Sequence, residues 1–332
     1  MRSPRRMAVL GAGSWGTALA VHLASGGHTT RLWTRRGEHA RLCQEHGENS
    51  RYLPGIPWPS GLTIGTDLAE IVTGANTIVL AVPSSALRAT LTRVVRDLHP
   101  EVPVLLACKG IEWPGGALPH EIAAEVLGDS HPLAVLAGPS FAREMARGDP
   151  TAVVVASRDR TRRTFQKILH RGTLRVYVSG DVVGAEIGGA VKNVVAIGAG
   201  LGDGLGMGAN ARAALITRGL AEIIRLGTAL GGRRATFMGL SGLGDLVLTA
   251  TDDTSRNHRL GRLLAGGKSL AAAQAEIGQT AEGVLSSRAV SERAAQIGVE
   301  MPICSVVNRI LHEGLDPQHA VQLLLGREAK HE

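Results

Sequence analysis

The sequence predicts an α/β first half built on a mainly parallel sheet, followed by an all-helical second half. Three observations carry this reading. Up to about Asp181, short continuous apolar runs alternate with amphipathic stretches, as they do where parallel strands are covered by helices on both faces. Beyond that point strand-like runs almost vanish and long helical patterns replace them. The length, 332 residues, suits two domains of ~150 residues each. The predicted domains are residues 1–181 and 182–332.

Taken in order, Met7–Leu10 reads as a strand, Trp15–Ser25 as a helix and Thr29–Trp33 as a second strand. The proline-rich Tyr52–Pro59 reads as a loop, because each proline fixes φ and removes a donor. Thr77–Val82, Val104–Ala107, Leu133–Ala137, Thr151–Ala156 and Leu174–Val178 are further strand candidates, and Ala86–Leu98 is an amphipathic helix. In the second half, Val182–Gly200 and Asn210–Leu230 read as long helices. Shorter ones follow at Ser286–Ile297, Ile303–His312 and Pro317–Leu325.

Composition narrows the function. Aromatic residues make up only 3% of the chain while glycine reaches 43 residues, so the core is aliphatic with many close backbone approaches. Cys43, Cys108 and Cys304 lie far apart and form neither a disulfide framework nor a zinc signature; no metal is expected, and a reducing cytoplasm suits them. No apolar run approaches ~18 residues, so no transmembrane segment is expected. The apolar run after the basic start is too short for a signal peptide. The net charge is +7. The basic residues read as dispersed and stacking aromatics are scarce, which argues against nucleic acid and leaves an anionic small substrate. Only five basic residues are lysine: Lys109, Lys167, Lys192, Lys268 and Lys330. A lysine kept in so arginine-rich a chain hints at a need for an amine.

Gly11-Ala-Gly13-Ser-Trp-Gly16 follows a strand and opens a helix, the context that gives G-x-G-x-x-G its meaning. Gly11 permits a tight turn, Gly13 lets the backbone approach a pyrophosphate, and Gly16 lets the helix pack on the strand. Ser14 and Trp15 sit where that loop meets its ligand, and the helix start favours a diphosphate. The first half is thereby read as a Rossmann-type dinucleotide-binding domain. After the second strand, where an NAD site usually carries a carboxylate, the chain writes Arg35-Arg36. Two guanidiniums suit a 2′-phosphate, so NADPH is expected to be preferred, with NADH possible. The plain alternatives are a glycine turn without a ligand and a solvated basic corner.

Other strand ends face the same crevice, since ligands bind outside the carboxyl ends of such strands. They offer Ser84, Lys109, and the Gly138-Pro139-Ser140 turn; a helix cap at Ser84 and a surface lysine at Lys109 are the alternatives. In the second half Lys192 lies within the apolar, glycine-rich Ala185–Gly200. An ammonium there is costly unless it faces a polar cavity. Desolvation and a neighbouring cation would push a lysine toward general acid/base service, which arginine cannot give; a lysine snorkelling to solvent is the alternative. Asp245, flanked by glycines, could hold a substrate hydroxyl, orient a lysine or cap a helix. Ser255, Arg256 and Asn257 form a trio suited to a phosphomonoester or, more plainly, a surface turn. Glu282 adds a carboxylate of little independent signal.

These residues resemble the bacterial NAD(P)-dependent glycerol-3-phosphate dehydrogenases. The likeness rests on GAGSWGTALA from Gly11, CKGIE from Cys108, AGPSFARE from Ala137, the GGAVKNVVAIGAG stretch from Gly188, MGLSGLGDLVLT from Met238 and SRNHRLG from Ser255. It covers nearly the whole chain, from about Met7 to Gly326. The resemblance implies reversible reduction of dihydroxyacetone phosphate to sn-glycerol 3-phosphate, which feeds phospholipid synthesis, in a cytoplasmic enzyme that forms a homodimer through its helical domain. By position it implies Lys192 as the catalytic acid/base. It implies Lys109, Gly138, Ser140, Lys192, Asp245, Ser255, Arg256 and Asn257 as substrate contacts. It implies Gly11, Gly13, Ser14, Trp15, Gly16, Arg35, Arg36, Lys109, Ala142, Arg256 and Glu282 as cofactor contacts. Trp15 stands where several relatives have Tyr or Phe, Ala281 replaces a more usual Val, and Met1–Arg6 is a short basic extension. Two rivals remain open on the residues alone: a β-hydroxyacid dehydrogenase of similar build and a non-catalytic dinucleotide sensor.

Overall fold

The computed structural model describes residues 4–326; Lys330 and the first residues of the basic extension lie outside the described residues. The strands are β1 (Arg6–Leu10), β2 (Thr29–Trp33), β3 (Glu48–Asn49), β4 (Leu53–Pro57), β5 (Leu62–Gly65), β6 (Thr77–Leu80), β7 (Val104–Leu106), β8 (Leu133–Ala137), β9 (Thr151–Ala156) and β10 (Leu174–Ser179). The helices of the same part are α1 (Ser14–Ser25), α2 (Gly37–His46), α3 (Leu68–Val72), α4 (Leu87–Val94), α5 (Pro119–Leu127), α6 (Ala142–Arg147) and α7 (Thr161–Leu169). Then come α8 (Val182–Gly204), α9 (Ala209–Ala229), α10 (Arg234–Phe237), α11 (Asp245–Thr251), α12 (Arg256–Ala265), α13 (Leu270–Ile277), α14 (Gly283–Gln296), α15 (Pro302–His312) and α16 (Pro317–Leu325).

Eight strands form one sheet in the order β10-β9-β8-β7-β6-β1-β2-β5. All neighbours are parallel except β8 and β9, which pair antiparallel, so the sheet is mainly parallel as the alternation predicts. The central strands are apolar on both faces; all four residues of β6 are buried. One reading is corrected. The Tyr52–Pro59 segment is not wholly loop, because Leu53–Pro57 pairs with Glu48–Asn49. An edge ribbon tolerates Pro54 and Pro57, whose missing donors cost it no central ladder bond.

The chain divides into two compact units, and the division differs from the boundary at 181/182. The first unit holds residues up to Lys109 together with Leu118–Ala185; the second holds Gly110–Ala117 and everything from Glu186. The divide falls inside α8, because that helix starts at Val182 and runs without a break. The eight-residue Gly110–Ala117 has its own anchor in the second unit: Arg288 of α14 stacks on Trp113, 4.7 Å from the ring centroid. No change of sequence rhythm marks that exchange.

Helix α8 is long and apolar enough to cross a bilayer by length and composition, yet 94% of its apolar window is buried inside the fold. Its glycines let other elements of the second unit approach closely. A Cβ at Gly200 would lie 1.9 Å from the His258 carbonyl oxygen, and one at Gly188 2.2 Å from that of Ser241.

Helix α15 has no side-chain cap of its own. Glu222 of α9 supplies one: its carboxylate accepts from the amides of Ile303 at 2.6 Å and Cys304 at 3.1 Å. Glu222 is only 1% exposed, and burial raises its pKa against the opposing pull of those amides. The folded chain therefore holds this proton more tightly than the unfolded chain, so the group's contribution to stability falls as pH rises. The loss begins above the ordinary value of 4.5 and is complete above the raised folded value. We expect Glu222→Gln to flatten the stability–pH curve above that onset, and Glu222→Ala to cost about 2–4 kcal/mol by orphaning two buried amides. Urea unfolding across pH checks both; an unchanged curve for Glu222→Gln would refute the assignment.

Candidate active site

In the first unit, β1 delivers the chain to Gly11 at φ +116°, a conformation that favours glycine. A Cβ there would meet Ala81 backbone at 2.7 Å, and one at Gly16 would lie 1.9 Å from the Gly11 carbonyl oxygen. A Cβ at Gly13, by contrast, would meet nothing within 4 Å. Gly11 and Gly16 thus close the turn against its own strands, while Gly13 borders open space. Gly13 is also the N-cap of α1, with no side-chain cap and no acidic residue in the first turn. Uncapped amides beside a glycine-wide opening fit a diphosphate.

A buried asparagine that sequence reasoning missed holds this turn in place. Asn49 donates to the Ala12 carbonyl at 3.0 Å and to Thr17 Oγ1 at 2.8 Å; its own oxygen faces His39 Nε2 at 2.9 Å. Ser14 Oγ donates to the Tyr52 carbonyl at 2.7 Å, so the hydroxyl predicted to meet the ligand also pins the β3–β4 ribbon. Trp15 packs against the core, and its indole Nε1 is buried without a hydrogen-bond partner. Beyond β2, Arg35 and Arg36 are both exposed. Among the described residues neither guanidinium makes a hydrogen bond or an ion pair.

Lys109 follows β7, and its Nζ donates to the Gly138 carbonyl at 2.9 Å and lies 3.5 Å from Ser140 Oγ. Gly138, at φ +107°, follows β8. Three of the predicted substrate residues therefore gather at adjacent strand ends. Ala142 is the first residue of α6 and packs against the same core. Ser84 is buried and opens a short 3-10 turn whose N-cap is Pro83.

In the second unit Lys192 is 6% exposed and Asp245 fully buried. Lys192 Nζ donates to Asp245 Oδ1 at 2.5 Å and to Thr249 Oγ1 at 2.7 Å. It does not snorkel to solvent. Asp245 is the first residue of α11, whose N-cap is Gly244, so its carboxylate serves the lysine instead of capping the helix. Thr249 was missed, although its spacing from Asp245 was readable: residues four apart share a helical face. Its hydroxyl donates on to the Asp245 carbonyl at 2.6 Å, which leaves an oxygen lone pair for the ammonium. A lysine held by two acceptors on one face of α11 keeps a fixed direction.

The Ser255-Arg256-Asn257 trio separates into different tasks. Ser255 is the N-cap of α12, and its Oγ accepts from the His258 amide at 3.3 Å. Asn257 donates to Asn193 Oδ1 at 2.9 Å and accepts from the Gly283 amide at 3.0 Å, fastening α12 to the start of α14. Arg256 alone keeps an outward cation. Surrounding protein lowers its guanidinium pKa, and the nearby Glu282 carboxylate opposes that shift. Glu282 occupies the N-cap position of α14. Behind them, His258 is buried, with Nε2 2.8 Å from Asp203 of α8. Among the described residues no cluster of three or more His, Cys, Asp or Glu is placed to hold a metal ion.

The comparisons with known proteins decide the family. Residues 6–163 match the model of the NAD-dependent glycerol-3-phosphate dehydrogenase N-terminus, and residues 181–322 match that of its C-terminus. The chain belongs to the NAD-dependent glycerol-3-phosphate dehydrogenase family. Glycerol-3-phosphate dehydrogenase [NAD(P)+] of Thioalkalivibrio sulfidiphilus is 51% identical over 98% of both chains. The crystal structure of glycerol-3-phosphate dehydrogenase from Coxiella burnetii shares a TM-score of 0.95 and 45% identity, covering 98% of this chain and 99% of that one. The yeast family member matches at TM-score 0.81 and 28% identity, over 97% and 99%. The family settles the open choice between a hydroxyacid dehydrogenase, a sensor and a glycerol-3-phosphate dehydrogenase in favour of the last.

Proposed function

We propose that this chain reduces dihydroxyacetone phosphate to sn-glycerol 3-phosphate, reversibly, with a reduced nicotinamide dinucleotide. The observation that carries the reading, beside family membership, is the buried Lys192 held by Asp245 and Thr249. The glycine turn of Gly11, Gly13 and Gly16 would hold the diphosphate, with Ser14, Trp15, Ala142 and Glu282 as further cofactor contacts. When bound, the nicotinamide supplies the hydride. Arg256 meets the substrate phosphate, and Ser255 and Asn257 keep the helix start that carries it in register. Lys192 donates its proton to the developing alkoxide, while Asp245 and Thr249 aim that proton and stabilise the ammonium. Lys109, positioned by the Gly138 carbonyl and Ser140, supplies a second amine for the anionic substrate. The lysines provide the electrophilic assistance, so the reading needs no metal. The product would feed glycerophospholipid synthesis, in a cytoplasmic homodimer.

The test is consumption of NADPH by purified protein given dihydroxyacetone phosphate, with one NADPH lost per substrate reduced. Folded protein that turns over a hydroxyacid pair but not this substrate would defeat the proposal. The exposed Arg35 and Arg36 support NADPH preference. Replacing both with Ser is expected to raise KM for NADPH about tenfold to a hundredfold, as lost charge-assisted contacts to a phosphate do. KM for NADH should hardly move; an equal rise for both cofactors would refute the 2′-phosphate role.

A further inference from the structure

We propose that the outer face of α7 in the first unit is a docking surface for an anionic lipid bilayer, through Arg160, Arg163, Lys167 and Arg171. The basis is where the charge lies. Between Ser157 and Arg175 the chain carries six arginines and one lysine against one acid, Asp159. This stretch therefore carries a local surplus of +6, although 29 of the 36 basic residues lie elsewhere in the chain. The nucleotide and substrate residues do not account for it.

The helix sorts its residues cleanly. Thr161, Phe165 and Leu169 are buried, and Phe165 and Leu169 join Leu174 and Val176 of β10 in the core. On the other side Arg160, Arg163 and Lys167 are exposed, and their spacing of three and four places them in one stripe. Arg171, also exposed, continues it past the helix end, its guanidinium bonded to the Ser25 carbonyl. Neighbouring cations also bond neutral acceptors: Arg162 donates to the Ser157 carbonyl at 2.9 Å and Arg163 to Gln166 Oε1 at 2.8 Å. Among the described residues Arg160, Arg163 and Arg171 form no ion pair. No acid stands in the first turn of α7; Arg160, Arg162 and Arg163 stand there, where the helix dipole repels cations. Arg162 is used by the fold, bonding the Ser157 and Asp159 carbonyls; Arg160 and Arg163 make no ion pair among the described residues and are left to an external polyanion.

The form of the patch favours a bilayer over nucleic acid. The stripe Arg160, Arg163 and Lys167 runs along the outer side of a helix, and the hollow at the start of that helix is lined by Ser157, Arg158 and Asp159 and by none of the three stripe cations. Tyr177, the exposed aromatic of β10 at 57%, alternates with Val176 and so lies on the strand face turned from α7. A base-stacking platform is therefore missing from the basic face. The apolar side of α7 is committed to the core, so attachment would be electrostatic adsorption without insertion. Each cation near an anionic bilayer adds roughly fivefold to binding, and salt screens the effect.

Sedimentation with vesicles tests this. Wild-type protein is expected to bind vesicles of phosphatidylglycerol and phosphatidylcholine in roughly equal parts, and to bind pure phosphatidylcholine at least ~10-fold more weakly. Raising salt from about 50 to about 300 mM should release it. The triple variant R160Q/R163Q/K167Q should lose roughly a hundredfold in vesicle affinity, with wild-type Tm and turnover of dihydroxyacetone phosphate. Binding that survives the triple substitution, equal binding to neutral vesicles, or displacement from anionic vesicles by duplex RNA at equal phosphate concentration would overturn the proposal.

Discussion

Lys192→Arg is expected to lower kcat by roughly 10²–10⁴-fold, the range by which a positioned acid or base accelerates a reaction. The substitution keeps the charge but removes the transferable proton, because a guanidinium stays protonated. It also changes shape: a planar fork replaces an ammonium that points at Asp245 Oδ1 and Thr249 Oγ1 from 2.5 and 2.7 Å. KM for NADPH should stay within about twofold, since an interaction made only in the transition state affects kcat and kcat/KM together. Loss of reduced-nicotinamide absorbance under saturating substrate gives the number. Wild-type kcat in the variant would end the acid/base assignment. Thr249→Val should fall between the two, because it removes one hydroxyl that directs the ammonium and leaves the carboxylate.

Gly200→Val should be strongly disruptive although it lies outside the chemistry. Its Cβ would lie 1.9 Å from the His258 carbonyl oxygen and 2.8 Å from the carbonyl carbon, so backbone and not a flexible side chain must yield. Overpacking of this kind costs about 1–3 kcal/mol or more, and Val carries two further methyl groups into the same gap. Gly202, on the same helix, supplies the control. A Cβ there would meet only Met207 Sδ at 3.7 Å, so Gly202→Ala should stabilise by about 0.5–1 kcal/mol through helix propensity. Thermal or urea unfolding of the pair measures both. Equal behaviour of the two variants would mean that α8 and α12 separate more easily than their approach implies.

Much of this was legible in the residue order because local pattern and tertiary role agree. The strands read as continuous apolar runs since the sheet is covered, and Gly11–Gly16 reads as a turn since strand, glycines and helix follow in sequence. Lys192 was found by its contrast with apolar neighbours. The remainder depends on partners distant in sequence. Nothing near Asn257 announces that its amide is spent on Asn193 and Gly283, so the trio reads as three phosphate contacts when only Arg256 is turned outward. Asn49 carries no motif; its role follows from the ribbon of β3 and β4, which proline made look like a loop. Glu222 shows the same limit, for its partners lie 81 and 82 residues away.

The Gly110–Ala117 segment has a consequence for how the protein is made. It emerges from the ribosome with the first unit, yet the arginine that stacks on Trp113 belongs to α14 and is synthesised much later. The nascent first unit must therefore carry an unsatisfied tryptophan loop while the helical half is still being translated. A gene fragment ending at residue 181 would leave that loop without the Arg288 contact that holds one face of Trp113 in the full-length chain, and should be nicked there faster than the full-length protein.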